Sequence, residues 1–299
     1  MTNETPKAVA VLLIELVPAA AFAFASERVA ATVARWPTAL RIIAPCLLFI
    51  PYVIMATEIR WRWLAIYGLL PVVMAWLMEQ AAAVDAEQRG NWRDALILLM
   101  LGLTVDLRWF DPAWPEGYRG LGNLLLVDAG LYAFLGVRRL SGTGFDFRIR
   151  LSDWTTGLRE LAFFAPVVIV VGLTLGFTHP HRNAPGVGTA VWTWLKIFIF
   201  VAIPEELFFR AWVQNLLERR IGRYRALAVA SILFGLSHFN KGFEHLNKTP
   251  YPPGHFNWRY VILATIAGIF YGRAWREHRR VPASTITHTW VDWLWNWWF

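Results

Sequence analysis

The chain has 299 residues, of which 57% are hydrophobic and 17% charged, and its mean hydropathy is +0.40. Soluble domains carry about 45–50% apolar and about 25% charged residues, so this composition excludes an ordinary soluble globule. The net charge of +8 and a pI near 10.0 raise nucleic acid as a partner, but no basic stripe with base-stacking aromatics lies outside the apolar runs, and none is expected.

Windows of roughly 17–20 residues with few charges recur along the chain, the length that crosses a hydrocarbon core. The 18 tryptophans fit anchors at the membrane interface. Hydropathy predicts an all-α, polytopic transmembrane helix bundle of about ten spans, with eight to ten compatible with the pattern. They are read at 8–25, 39–56, 61–78, 94–110, 120–137, 158–177, 189–217, 226–240, 257–275 and 283–299.

The first span lacks a basic flank and contains Glu15 and Pro18, so no cleavable signal peptide is read there. Glu15, Asp106, Asn123 and Asp128 are the polar exceptions in spans one to five; interface positions or helix–helix hydrogen bonds are expected for them. Cys46 is the sole cysteine, which excludes an internal disulfide.

Loop charge sets the orientation. Arginines fill the connections at 138–150, 219–225 and 273–280, and these alternate with less basic loops at 178–188 and 241–256. The positive-inside rule puts the arginine loops in the cytoplasm and the C-terminus across the membrane. An integral protein of the cell inner (plasma) membrane is expected, with its polar cavity reached from the cytoplasm.

Leu151–Glu160 reads as a surface helix start, capped by Ser152 or Asp153, that turns into the sixth span. The seventh span exceeds the needed length and is expected to tilt or break near Pro204. Pro250, Pro252, Pro253 and Gly254 argue against regular structure in the loop 241–257. His179, His181, His245, His255 and His278 read as solvated loop residues.

Three polar clusters interrupt the last spans, and ionisable groups at such depth are functional candidates. Glu205 and Glu206 point about 100° apart on a helix. Glu206 and Arg210 stand four apart in the favourable order for an ion pair, which leaves Glu205 for chemistry. Phe234 and His238 share a face, as do His288 and Asp292. Counted at about 1.5 Å per residue from the arginine loops, Glu205 lies roughly 20 Å deep, His238 roughly 18 Å and His288 roughly 8 Å. A carboxylate with two imidazoles around a wet cavity activates water and stabilises an oxyanion, which suffices to hydrolyse an amide.

EELFFR, FGLSH and HTWVD resemble the EExxxR, FxxxH and HxxxN/D signatures of the CPBP family, which includes the CaaX prenyl endopeptidases and bacterial Abi proteins. The three occur in family order over roughly residues 189–299, and the first 157 residues show no match. Two regions follow: added transmembrane spans at 1–157 and a CPBP-like catalytic core at 158–299. The resemblance implies an intramembrane glutamate-type endopeptidase acting on a membrane protein or lipid-modified peptide. In it Glu205 is the general base assisted by His238, His288 and Asp292 stabilise the oxyanion, and Glu206 and Arg210 complete the first motif.

The family often has Asn at the last position. An ionised Asp292 cannot donate to an oxyanion, so it is expected to orient His288 instead. No cofactor is expected. The alternative is a zinc site on Glu205, His238, His288 and Asp292, although no HExxH pattern is present. A non-catalytic binding, immunity or scaffold role and an ion path are the remaining alternatives.

Overall fold

In the computed structural model, residues 4–180, 185–241, 243–244, 249–250 and 256–298 are described. Ten helical stretches follow one another: α1 (Glu4–Ala34), α2 (Thr38–Met55), α3 (Trp61–Val84), α4 (Trp92–Asp106), α5 (Arg119–Val137), α6 (Leu151–Thr174), α7 (Val187–Ile221), α8 (Arg223–Leu236), α9 (Trp258–His278) and α10 (Val281–Trp298). The fold is an all-α polytopic bundle. Six of the ten, α1 to α3 and α5 to α7, are long and apolar enough to span by length and composition, among the described residues. With 15 and 14 residues, α4 and α8 are too short to count. α9 ends in a charged run, Arg273, Arg276 and Glu277, which lowers its hydropathy.

Three sequence expectations need correction. Leu151–Glu160 is no separate surface segment but the opening of the continuous 24-residue α6. Asp153 does not cap from the N-cap position; it sits in the first turn and accepts the Arg150 backbone N–H at 2.8 Å. Pro204 does not break α7. Wide π turns at Phe198–Ala202 and Leu207–Gln214 flank it, giving room to a ring that would clash with the preceding turn in a regular helix. In the proline-rich loop, Phe243–Glu244 pairs antiparallel with Thr249–Pro250, a minimal two-residue ladder. Of the loop histidines, His179 and His278 are exposed as expected, while His181, His245 and His255 lie outside the described residues.

The chain divides into two compact units, residues 1–141 with 146–148 and residues 142–145 with 149–299. In the first, Arg138 is buried between Asp94 (3.0 Å) and Asp85 (2.5 Å). Burial pushes the Asp85 carboxyl up, but the Arg89 and Gly90 amides and the Arg138 guanidinium outweigh it and hold Asp85 below its usual range. Tyr67 accepts the Trp114 indole N–H at 2.7 Å within a cluster of rings from Tyr52, Trp63 and Phe110. Asn123 is exposed. Glu15 and Asp128 are buried, and their carboxylate oxygens have no hydrogen-bond partner among the described residues. The expected helix–helix hydrogen bonds are therefore absent at those two positions.

In the second unit small residues let helices touch. Gly235 of α8 faces Thr265 and the Val261 carbonyl of α9, and Gly268 of α9 faces Ser231 of α8, so a methyl at either place would collide. α6 meets α10 at Gly157, whose carbonyl accepts the Thr287 hydroxyl at 3.0 Å. Asp153 of α6 also binds Arg280, at 2.7 and 3.0 Å through two nitrogens, with both side chains buried. Gly144, at φ +70°, lies against the Arg279 carbonyl where no side chain fits, and its own carbonyl accepts the Val281 N–H at 2.9 Å. These contacts fix the start of α10 and hence its register. Asp153→Ala is expected to destabilise by about 3–5 kcal/mol, the cost of a buried charge left alone. Unfolding in detergent measures it, and a loss below about 1 kcal/mol would mean the pair is not the anchor.

Candidate active site

Three helices of the second unit carry the motif residues, and α7 supplies the centre. Glu206 is fully buried. Its Oε2 accepts from Arg210 Nε at 3.0 Å, one turn along. Its Oε1 lies 2.9 Å from His288 Nδ1 on α10. An ion-paired carboxylate accepts only, so Nδ1 carries a proton and donates it to Glu206. The other ring nitrogen, Nε2, stands 3.4 Å from Asp292 Oδ2 and 4.0 Å from Glu205 Oε2.

Glu205 occupies a different environment. It is 24% exposed, its Oε1 is 3.9 Å from Lys241 Nζ, and its Oε2 is buried with no hydrogen-bond partner among the described residues. The two neighbouring glutamates diverge as the helix geometry requires, yet both reach one imidazole, at opposite nitrogens.

His238, at the end of α8, is buried. Its Nδ1 is 2.8 Å from the Phe234 carbonyl, which accepts only, so Nδ1–H is the donor. Ser237 Oγ donates to the same carbonyl at 2.8 Å. In the neutral ring, Nε2 is then left as an acceptor.

Aromatic rings hold these groups in place. Phe234 has its ring 4.8 Å from His238 and 5.8 Å from His288. Tyr271 stacks on His288 at 4.5 Å and 16°, and Tyr260 meets His238 edge-on at 4.9 Å. The Arg210 guanidinium lies 5.0 Å from the Phe234 ring and 5.9 Å from Tyr271. Its two terminal nitrogens have no hydrogen-bond partner among the described residues, and the ring faces take the place of one.

His238, His288 and Asp292 form the polar end of a cavity of about 690 Å³. Its other walls are mainly apolar, from Phe164, Phe200, Leu263 and Ala267 among others, with Lys196 the one cation lining it among the described residues. A second, more apolar cavity of about 640 Å³ shares Phe164, Val168, Val291 and Trp295 with it. Glu205 is not among the residues that line the cavity; its Oε2 stands 4.0 Å from His288 Nε2.

The structure brings Glu205, Glu206, Arg210, His288 and Asp292 into one chain of contacts, with His238 joined through Phe234. One expectation changes. The unequal depths counted from the loops do not separate the groups, because Glu205 and His288 lie 4.0 Å apart. Asp292 meets His288 at 3.4 Å, as the four-residue spacing predicts, and Glu206 adds a contact at the other ring nitrogen. Glu206 holds Nδ1 in the interior, while Asp292 is 37% exposed and stands at Nε2. Lys241, Tyr260 and Tyr271 were missed: they lie outside the motifs, and nothing in their local sequence marks them. The four residues of the zinc alternative do not make a metal-holding group of three or more His, Cys, Asp or Glu among the described residues.

Six helices long and apolar enough to span, with a buried acid–arginine–histidine centre beside a cavity, point to an integral membrane protein. Residues 187–294 match the Rce1-like family model, described as type II CAAX prenyl endopeptidase Rce1-like. That stretch contains all three motifs, and the match supports the resemblance to the CPBP family of CaaX-type membrane proteases. No curated protein and no solved structure matches the chain.

Arg210→Met tests the centre. Removing the guanidinium leaves Glu206 buried without its cation, so a loss of about 3–5 kcal/mol is expected. Equilibrium unfolding in detergent reads it, and wild-type stability would mean that His288 alone satisfies Glu206.

Proposed function

We propose that the protein is an intramembrane endopeptidase of the glutamate type. It hydrolyses a peptide bond of a membrane-associated protein without a covalent enzyme intermediate. The observation that carries this reading is the asymmetry at His288: Glu206 engages Nδ1, while Nε2 faces Asp292 and Glu205, whose Oε2 has no hydrogen-bond partner among the described residues.

Glu205 takes a proton from water through its unpartnered Oε2, and His238 supports that water through the acceptor nitrogen Nε2. The hydroxide adds to the scissile carbonyl, and His288 donates from Nε2 to the developing oxyanion. Glu206 keeps the imidazole aimed, and Arg210 keeps Glu206 ionised. Asp292 competes for the same Nε2 proton, so it tunes the donor rather than serving as one. Proton return from Glu205 to the leaving amine completes the cycle with atoms balanced: water is consumed, one C–N bond breaks, and a carboxyl and an amine form.

The apolar walls of the two adjoining cavities suit an apolar segment or a lipid-modified peptide as substrate. In this reading residues 158–299 are the catalytic core, residues 1–157 are added spans, and the cavity is reached from the cytoplasmic side of an inner (plasma) membrane. No metal takes part.

Glu205→Gln, His238→Ala and His288→Ala are expected to lower processing by at least about 10²-fold, and the unfolding midpoint of Glu205→Gln is expected to stay near wild type. The measurement is a comparison of membrane-protein termini in cells carrying wild type and Glu205→Gln. Identical termini would remove the enzymatic reading and leave a binding or scaffold role. Asp292→Asn is expected to stay within about tenfold of wild type, and complete loss would contradict its tuning role.

Metal independence has its own check. Purified active protein is expected to contain no stoichiometric zinc and to keep its activity in chelator. Activity lost on chelation and restored by zinc would establish the metalloprotease alternative.

A further inference from the structure

Away from the catalytic cavity, the ends of three helices meet in a second polar site. The last turns of α7 bring Asn215, Glu218 and Arg219. The first turn of α8 brings Arg223 and Tyr224, and the end of α9 brings Arg276 and Arg279. A pocket of about 410 Å³ opens between them, lined by Gly142, Asn215, Glu218, Arg219, Arg223 and Arg279.

The charges there do not balance. Glu218 is the single acid of the lining, and it is already engaged: Arg279 binds it at 2.5 Å and Gln214 donates to it at 3.3 Å. Neither Arg223 nor Arg276 forms an ion pair with a carboxylate among the described residues, although Glu218 also attracts Arg276. Instead both guanidinium groups rest on one ring, Tyr224, at 5.1 and 5.3 Å. One terminal nitrogen of Arg276 is buried and unpartnered. Two like charges gathered on one side chain repel one another, and an anion between them would reverse the sign of that interaction.

Helix polarity adds a second strain. Arginines in the last turns of α7 and α9 lie where the helix dipole favours cations, but Arg223 occupies the first turn of α8, the end that favours anions. That turn has no side-chain cap and no acidic residue. A rule about loop charge explains why arginines occur in this connection. It does not explain why they converge on a pocket, or why one occupies the wrong end of a helix.

We infer that this pocket binds a phosphate-bearing anion, held by Arg219, Arg223 and Arg279 with Arg276 behind them. The phosphate of an anionic lipid headgroup and a soluble phosphate share that chemistry.

The full chain in detergent tests it by titration with phosphatidylglycerol, with phosphatidylcholine and with inorganic phosphate, followed by native mass spectrometry and by the thermal midpoint. Phosphatidylglycerol is expected to bind and raise the midpoint while phosphatidylcholine does not. A response to inorganic phosphate at the same concentration would identify a soluble ligand, and its absence a lipid. Arg219→Gln and Arg223→Gln should each weaken binding about fivefold, whereas Arg225→Gln, which removes the same charge outside the pocket lining, should not. Equal weakening by all three variants, or no difference between phosphatidylglycerol and phosphatidylcholine with no response to phosphate, would overturn the site. Should a variant fail to fold, the salt dependence of wild-type binding decides: affinity that does not fall with added NaCl is incompatible with an arginine-held anion.

Discussion

One buried carboxylate organises the second unit of the chain. Glu206 has no contact with solvent, and an ionised group so buried is tolerated when each of its oxygens meets a donor. Arg210 supplies one donor from the same helix and His288 another from a helix 82 residues away in sequence. The pairing therefore does two things at once: it neutralises the charge locally, and it sets the register of α10 against α7. The orientation of the imidazole follows from it. With Nδ1 committed, Nε2 must face Glu205 and Asp292, which fixes where a reacting group could sit.

The rest of the unit serves that contact. His238 reaches the same region because α8 and α9 approach through Gly235 and Gly268, where a larger side chain would push them apart. Phe234 then lies against both imidazoles and the Arg210 guanidinium, filling with a ring the space that a polar site would otherwise leave to water. Tyr271 closes the other face of His288. At the base, the Asp153–Arg280 pair and the Gly144 contact hold the first residues of α10, two turns before His288. An error there would be carried along the helix to the ring.

Local spacing made much of this legible. Four-residue intervals put Glu206 with Arg210, Phe234 with His238 and His288 with Asp292, and each pair is in contact in the structure. What spacing could not reveal was the partner of each pair across helices. The His288–Glu206 bond depends on how α10 docks against α7, and that docking depends on contacts as remote in sequence as Asp153 with Arg280. Spacing pairs Asp292 with His288 but does not say which nitrogen it meets. Pro204 misled. Its sequence signal is a break, but wide turns on either side absorb the ring and keep α7 continuous through both glutamates. The N-terminal unit was harder still. Glu15 and Asp128 look like helix-pairing residues, and only the packed structure shows them buried without a donor.

The two adjacent glutamates show how a pair of identical residues acquires different chemistry. Burial alone does not separate them, since Glu205 Oε2 is itself enclosed. Satisfaction does. Glu206 has both oxygens engaged, one by a guanidinium and one by an imidazole. Glu205 has one distant ammonium at 3.9 Å and an oxygen with no donor. An enclosed, donor-free carboxylate oxygen costs free energy unless a water or a substrate supplies the missing proton. That deficit sits beside His288 Nε2, which is where a polarised water has most to gain. The two carboxylates are thus distinguished by which of them the fold leaves incomplete.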